Sequence, residues 1–364
     1  MAANIEGVSE RSGVRQHAWW ILSVGMLAVR FVQGWIYWGG GSRRFIYGPQ
    51  KINPAGHWMA YKFQTAMPGA ILGTSHLVSF LLHHFILLYA GVIIFSAVEL
   101  ISGAMLISGF LTRLAAILTL GLSFTLMLLF GWQGATCIDE WTMAASNFGM
   151  GITLFLVGGG AYSIDNWLLK KKPALAQRAW FRWLGGSEPL PLSDAAFKKL
   201  ALTLFWIAVV FIVATYSYYR GSVITPFHGD PTGVKIHHIQ MRDLQIAPDG
   251  SVTVHMYVNA GTASVPAHII SARLLNAHGK VVEVWSGKQL SHLPAINIHN
   301  DYDYQKISPD SVLGLKAGLG AAATVHLPVS DSSGFIGTGD GPYQLQVLDI
   351  NGKTMSISAH IEGS

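Results

Sequence analysis

FLLHHFILLYAGVIIFSAVELISGAMLISGFLTRLAAILTLGLSFTLMLLFG, residues 80–131, decides what kind of protein this is. Its fixed charges are Glu99 and Arg113, and its length is enough for two helices across a hydrocarbon core of ~30 Å. We read two spans in it, 80–108 and 111–131, and three more outside it, at about 18–38, 142–164 and 199–219. Over the 364 residues, 51% are hydrophobic and 12% charged, with a mean hydropathy of +0.39, which excludes an ordinary soluble protein. The peptide before Trp19 carries Arg11 and Arg15 and shows no small-residue cleavage site, so the first span reads as a retained helix.

After Arg220 the pattern changes. Residues 252–258, 268–275, 280–285, 323–327 and 343–348 alternate apolar and polar, separated by Asp249-Gly250, His278-Gly279 and Asn351-Gly352 turns. Six to eight such strands predict a β-sandwich. The expected organisation is a four-helix membrane domain at 1–170, a basic linker at 171–198, a fifth membrane helix at 199–220 and an all-β sandwich at 221–364.

Orientation follows from Lys170, Lys171, Lys172, Arg178, Arg182, Lys198 and Lys199, which the positive-inside rule places in the cytoplasm. The connection 39–79, the loop after residue 131 and the β domain then lie outside. Trp35, Trp38, Trp132 and Trp141 would form an outer aromatic belt, and Trp19, Trp20 and Trp167 an inner one. Arg43, Arg44, Lys51 and Lys62 are basic residues on the side where topology does not favour them.

Charges at membrane depth need a partner or a cavity. Counting residues from the cytoplasmic ends, the depths of Arg30 and Glu99 differ by ~6 Å, within reach of an ion pair; a proton-relay role for Glu99 stays open. Arg113 begins a span and is expected to snorkel to the cytoplasm. His83 and His84, at the outer end of the second span, suit haem ligation, proton release or plain headgroup contact.

Cys137 is the chain's one cysteine, in a polar loop flanked by Trp132 and Trp141. It is a candidate nucleophile; the alternative is a small buried hydrophobe. One thiol excludes an attached c-type haem, a four-cysteine iron–sulfur cluster and an intrachain dithiol. The glycines at 337, 339 and 341 lack the strand-to-helix setting of a dinucleotide loop. Ten of the 15 histidines fall after residue 220, scattered, and the adjacent pair His237-His238 would face opposite sides of a strand.

Glu99, Gly103, Gly109 and Arg113 resemble the acid, small-residue and arginine signature of DoxX-type membrane proteins. Arg30 with Gly34, Gly40-Gly41-Ser42-Arg43-Arg44, Lys51-Ile52-Asn53-Pro54, Trp58, Lys62, Met67-Pro68-Gly69 and Thr136-Cys137-Ile138-Asp139-Glu140-Trp141 resemble the DoxD subunit of thiosulfate:quinone oxidoreductase. The last domain, with Trp285 and Asn300-Asp301-Tyr302, is similar to its DoxA subunit. The resemblance implies oxidation of thiosulfate to tetrathionate outside the membrane, with electrons passed to quinone. It implies Cys137 as the sulfur centre, Asp139 and Glu140 as proton acceptors or partners of the basic loop, and Arg43, Arg44, Lys51 and Lys62 as ligands of the dianion. Arg30, Glu99, His83, His84 and Trp141 are the candidates for quinone binding or proton relay. Expected partners are thiosulfate, membrane quinone and the lipid bilayer of a bacterial or archaeal cytoplasmic membrane. A homo-oligomer stays open, and neither nucleic acid nor haem, flavin or iron–sulfur cluster is expected. The rival readings are a sulfur-oxyanion transporter or sensor and a haem-linked membrane subunit.

Overall fold

The computed structural model describes residues 2–48, 59–133, 140–220, 236–329 and 342–360. Helices α1 (Ala2–Ser42), α2 (Met59–Ala66), α3 (Thr74–His83), α4 (Phe85–Ser108), α5 (Thr112–Phe130), α6 (Glu140–Val157), α7 (Ile164–Lys171), α8 (Ala179–Leu184) and α9 (Asp194–Arg220) come first. Strands β1 (His238–Ile246), β2 (Val252–Ala260), β3 (Ala267–Leu275) and β4 (Val281–Ser286) follow, then a short helix α10 (Gly287–Ser291). Strands β5 (Ile298–Asn300), β6 (Ile307–Asp310), β7 (Gly314–Ala317), β8 (Ala322–Leu327), β9 (Tyr343–Asp349) and β10 (Thr354–Ala359) complete the chain. Two compact units result: Met1–Trp58 with Tyr89–Met127 and Ile138–Pro226, and Met59–Leu88 with Leu128–Cys137 and Phe227–Ser364.

In the first unit α1, α4, α5 and α6 share a core in which Leu106, Ala115, Ala116 and Leu154 are fully buried, with Met26, Val29, Met105 and Phe155 packed round them. Small residues let α1 and α4 touch backbone to backbone. A Cβ on Gly103 would lie 2.3 Å from the amide nitrogen of Trp38, and one on Gly41 would lie 2.5 Å from that of Leu100. Outside this core α9 packs Phe211 on Phe124 and Phe148, and leaves Phe205, Trp206, Val210 and Val213 exposed, as a lipid-facing helix would.

Among the described residues four helical segments are long and apolar enough to cross a membrane: Gln16–Ile46, Phe85–Ser108, Thr112–Gln133 and Asp194–Tyr219. Two expected spans need correction. The one placed at 80–108 breaks at His84 between α3 and α4, where the backbone leaves the helical region. The one placed at 142–164 ends at Val157, because Gly158 and Gly160 take left-handed conformations (φ 83° and 73°); this shorter helix, begun by Glu140 and holding Asn147, is not among the four.

In the second unit the strands form two antiparallel sheets, ordered β1-β2-β8-β5 and β10-β9-β3-β7-β6, with β4 also paired to β3. Period-two burial puts Val252, Val254, Met256 and Val258 of β2, Val325 and Leu327 of β8, Ile269 and Leu274 of β3, and Leu345 and Val347 of β9 inside. The expected sandwich is there with ten strands among the described residues, more than the six to eight expected. Trp132 and Trp141, expected in an aromatic belt, are buried instead. Trp132 donates to Ala66 O at 2.9 Å and fills the space a Cβ on Gly69 would take, 2.3 Å from its ring.

Candidate functional site

The polar residues of the helical bundle gather along one face of α1. Arg30, Gln33, Tyr37, Gly41 and Arg44 follow each other at helical spacing, and each meets a polar group or the close backbone of another helix.

Arg44 sits in the π-helical turn Arg43–Tyr47 that ends α1, and its guanidinium pairs with Glu99 of α4 while lying 5.8 Å from the Phe95 ring. The expected Arg30–Glu99 pair is therefore replaced. The reason is the helix register: Gly103 opposite Trp38 and Leu100 opposite Gly41 put Glu99 beside Gly40, ten residues or about 15 Å along α1 from Arg30. Arg43 is exposed.

Midway along α1, the Tyr37 hydroxyl donates to Thr119 O at 3.0 Å and meets Ser123 Oγ at 2.7 Å. Gln33 donates through Nε2 to Thr119 Oγ1 at 3.3 Å and to Asn147 O at 2.9 Å, while Asn147 Nδ2 donates to Met143 O at 3.0 Å. Those carbonyl partners fix both amide orientations, since a flip would set oxygen against oxygen. Gln33 Oε1, Asn147 Oδ1 and Arg30 Nε are buried without a hydrogen-bond partner among the described residues, a condition costing about 1–3 kcal/mol per atom.

At the Arg30 end, the guanidinium donates to Gly159 O and to Tyr162 O, the latter at 2.6 Å. Asp165 of α7 accepts from the backbone amides of Leu111 (2.8 Å) and Thr112 (3.1 Å) and from the Thr112 hydroxyl (3.2 Å), capping α5 from a distant element. Burial pushes the Asp165 carboxyl up, while these hydrogen bonds and Arg113 pull the other way. Arg113 does not snorkel. It is 1% exposed and donates to the carbonyls of Phe155, Arg182, Gly185 and Glu188, because residues 155–188 fold back over the start of α5.

In the second unit, the Gln64 amide of α2 meets three backbone groups of the β domain: Nε2 donates to Gln305 O and Gly320 O, both at 2.9 Å, and Oε1 accepts from Gln305 N at 2.8 Å. Tyr302 O–H meets Ser79 Oγ of α3 at 2.8 Å, and burial raises its pKa. His83 lies 5.0 Å from the Tyr302 ring, with its Nδ1 on Ser79 O at 2.8 Å; His84 has its Nδ1 on Phe80 O at 2.7 Å. Lys62 is exposed, 5.1 Å over the Phe130 ring.

Trp141 donates to Thr215 Oγ1 at 3.1 Å and packs edge-on against Tyr216, which makes it a strut between α6 and α9. Glu140 opens α6, where a carboxylate suits the helix dipole. Cys137, Asp139 and Lys51 lie outside the described residues. Sequence reasoning missed Gln33, Tyr37, Asn147, Asp165 and Gln64. A usable signal existed for Gln33, Tyr37 and Asn147 as strong hydrogen-bonders inside apolar runs, and for Asp165 in the helix-start pattern Ser163-Ile164-Asp165.

Two family models match in tandem. Residues 26–193 match the TQO small subunit DoxD and residues 221–358 the TQO small subunit DoxA, TQO being thiosulfate:quinone oxidoreductase. The chain is a DoxD–DoxA fusion. The DoxD match contains the whole polar face of α1 from Arg30 to Arg44, with Glu99, Arg113, Asn147 and Asp165. The DoxA match contains both sheets but for the last residue of β10. The residues that carried the DoxA resemblance now have structural tasks. Trp285 is a buried core residue donating to Pro328 O, Asn300 braces Ile307 through both amide atoms, and Asp301 pairs with His255 at 2.9 Å. Among the described residues no group of three His, Cys, Asp or Glu side chains is placed to hold a metal ion.

Proposed function

We propose that this DoxD–DoxA fusion oxidises thiosulfate to tetrathionate on the outer face of a cytoplasmic membrane and reduces membrane quinone. The observation that carries the reading is the tandem match to both small subunits in one chain. Thiosulfate is a dianion, and the exposed Arg43, the basic Lys51 and Lys62 would draw it and stabilise a Cys137 thiolate. Arg44, already paired with Glu99, anchors the turn that presents Arg43.

The chemistry runs in two steps. Cys137 thiolate and the sulfane sulfur of one thiosulfate form a sulfur–sulfur bond, and the two electrons released go to quinone. A second thiosulfate then attacks the adduct, breaks the bond to Cys137, leaves as part of tetrathionate and restores the thiolate. Asp139 and Glu140 take roles as proton acceptors or partners of the basic residues. Arg30, Glu99, His83, His84 and Trp141 remain the candidates on the quinone side, with Trp141 acting through its hold on Thr215.

Measuring thiosulfate-dependent bleaching of a quinone analogue by the purified full chain, beside Cys137→Ser, tests the reading. The wild type should turn over, and the variant should lose activity by orders of magnitude while keeping its thermal transition. An inactive wild type with a defined quinone would overturn the enzyme reading. A Cys137→Ser variant with near wild-type turnover would leave the enzyme and remove the covalent step.

A further inference from the structure

All three buried side-chain polar atoms without a partner among the described residues occur in one place. Arg30 Nε and Gln33 Oε1 lie one helical turn apart on α1, and Asn147 Oδ1 belongs to the residue whose carbonyl Gln33 donates to. One is a donor and two are acceptors, which is the complement of water, able to accept once and donate twice. On one side Gln33 meets the Thr119 hydroxyl, while the Tyr37 and Ser123 hydroxyls meet each other at 2.7 Å and both reach the Thr119 backbone carbonyl. One further turn along α1, Gly40 faces Glu99, the partner of Arg44. On the other side, Arg30 holds the carbonyls of Gly159 and Tyr162, just before the cationic run Lys170-Lys171-Lys172.

We propose that Arg30, Gln33 and Asn147 hold internal water, and that this water and the Thr119, Tyr37 and Ser123 hydroxyls form a proton path along α1. It would run from the Arg30 end toward the Glu99–Arg44 end. The inference rests on the quinone-reducing reading given above. Joining two thiosulfates by a sulfur–sulfur bond releases two electrons and no proton, whereas quinone becomes quinol by taking two electrons and two protons. The protons must therefore come from solvent. By the positive-inside rule the Arg30 end is cytoplasmic, so each turnover would bring electrons from the outer face and protons from the inner one. Thiosulfate oxidation would then separate charge across the membrane. Relay by hydroxyls and by water that the carboxamides hold needs no titrating group in mid-membrane.

Two readouts on the full-length protein test this. A map in nanodiscs that resolves ordered water should show density within hydrogen-bond reach of Arg30 Nε, Gln33 Oε1 and Asn147 Oδ1. Dry, collapsed packing there overturns the proposal whatever the activity. In proteoliposomes holding a quinone analogue and a trapped pH dye, thiosulfate is added outside, and the protein population with its Arg30 end toward the lumen reports. The lumen should become alkaline by two protons per quinone. Gln33→Leu, Asn147→Leu and Tyr37→Phe should each slow turnover at least tenfold with an unchanged KM for thiosulfate. Alkalinisation of the outer medium alone, or full turnover in Gln33→Leu and Asn147→Leu, overturns the path. A wet site in a protein that does not reduce quinone with thiosulfate would instead overturn the functional reading, and the path with it.

Discussion

Arg113 donates to four backbone carbonyls, from Phe155, Arg182, Gly185 and Glu188, and this task belongs to a planar fork. Lysine keeps the charge but has three donors on one atom, so Arg113→Lys should leave buried carbonyls unmet and lower stability by about 2–4 kcal/mol. Thermal unfolding of the detergent-solubilised protein measures it, and a transition within one degree of wild type would contradict the cage. The Arg44–Glu99 pair invites a different test. Removing either residue takes the Arg44–Glu99 counter-charge from a largely buried group, a loss of roughly 3–5 kcal/mol for pairs of this kind, whereas removing both leaves neither charge. Arg44→Gln/Glu99→Gln should accordingly be more stable than the sum of the single variants implies; strict additivity would show that the two charges do not meet. Glu99 was legible from its depth in an apolar run and Arg44 as a basic residue on the side topology does not favour, while Arg113 was expected to snorkel; the partners of all three were not legible. Depth counted along a chain ignores helix register, which the Gly34, Gly41 and Gly103 contacts set here, and ignores loops that fold back, as residues 155–188 do over Arg113.

Strands were legible where apolar and polar residues alternate strongly, even at an edge as exposed as β4. The five segments read as strands correspond to β2, β3, β4, β8 and β9, each within two residues at either end. Of the five that escaped, β1, β5, β6 and β10 are sheet edges, and β7 has four residues. An edge strand carries polar residues and irregular register, as β1 does with its shifts between Arg242 and Gln245, so alternation fades where pairing is one-sided. The helix α2 hides its importance in the same way: its one fully buried amide, Gln64, looks in sequence like any surface glutamine. Gln64→Leu removes three hydrogen bonds at about 1 kcal/mol each and leaves the Gln305 amide without an acceptor. Hydrogen exchange should speed up in the peptide holding Gln305 while the β2–β8 ladder keeps its protection. Unchanged exchange at residue 305 would contradict the clamp.

Over the whole chain, the shift near Arg220 from apolar runs to alternation marked the change from helices to sheets, and the DoxD and DoxA matches stop and start on either side of it at 193 and 221. Compactness divides the molecule elsewhere. Helices α2 and α3, from the DoxD match, belong to the same compact unit as the DoxA sheets, tied by Gln64, by Ser79 to Tyr302 and by Tyr61 edge-on to Tyr304 at 6.1 Å. No sequence periodicity signals such ties, because they are single polar contacts between segments more than two hundred residues apart. They give truncation a specific outcome. A chain ending at Arg220 keeps the four-helix core of Leu106, Ala115, Ala116 and Leu154 intact, so it should insert and keep its bundle's thermal transition. It uncovers Gln64, Ser79 and Tyr61 together, so residues 59–88 should become the first site of limited proteolysis, and thiosulfate turnover should fall while a quinone analogue still binds. If residues 59–88 stay as protected as in the full chain, α2 and α3 are held by the bundle alone, and the DoxA part is dispensable to their fold.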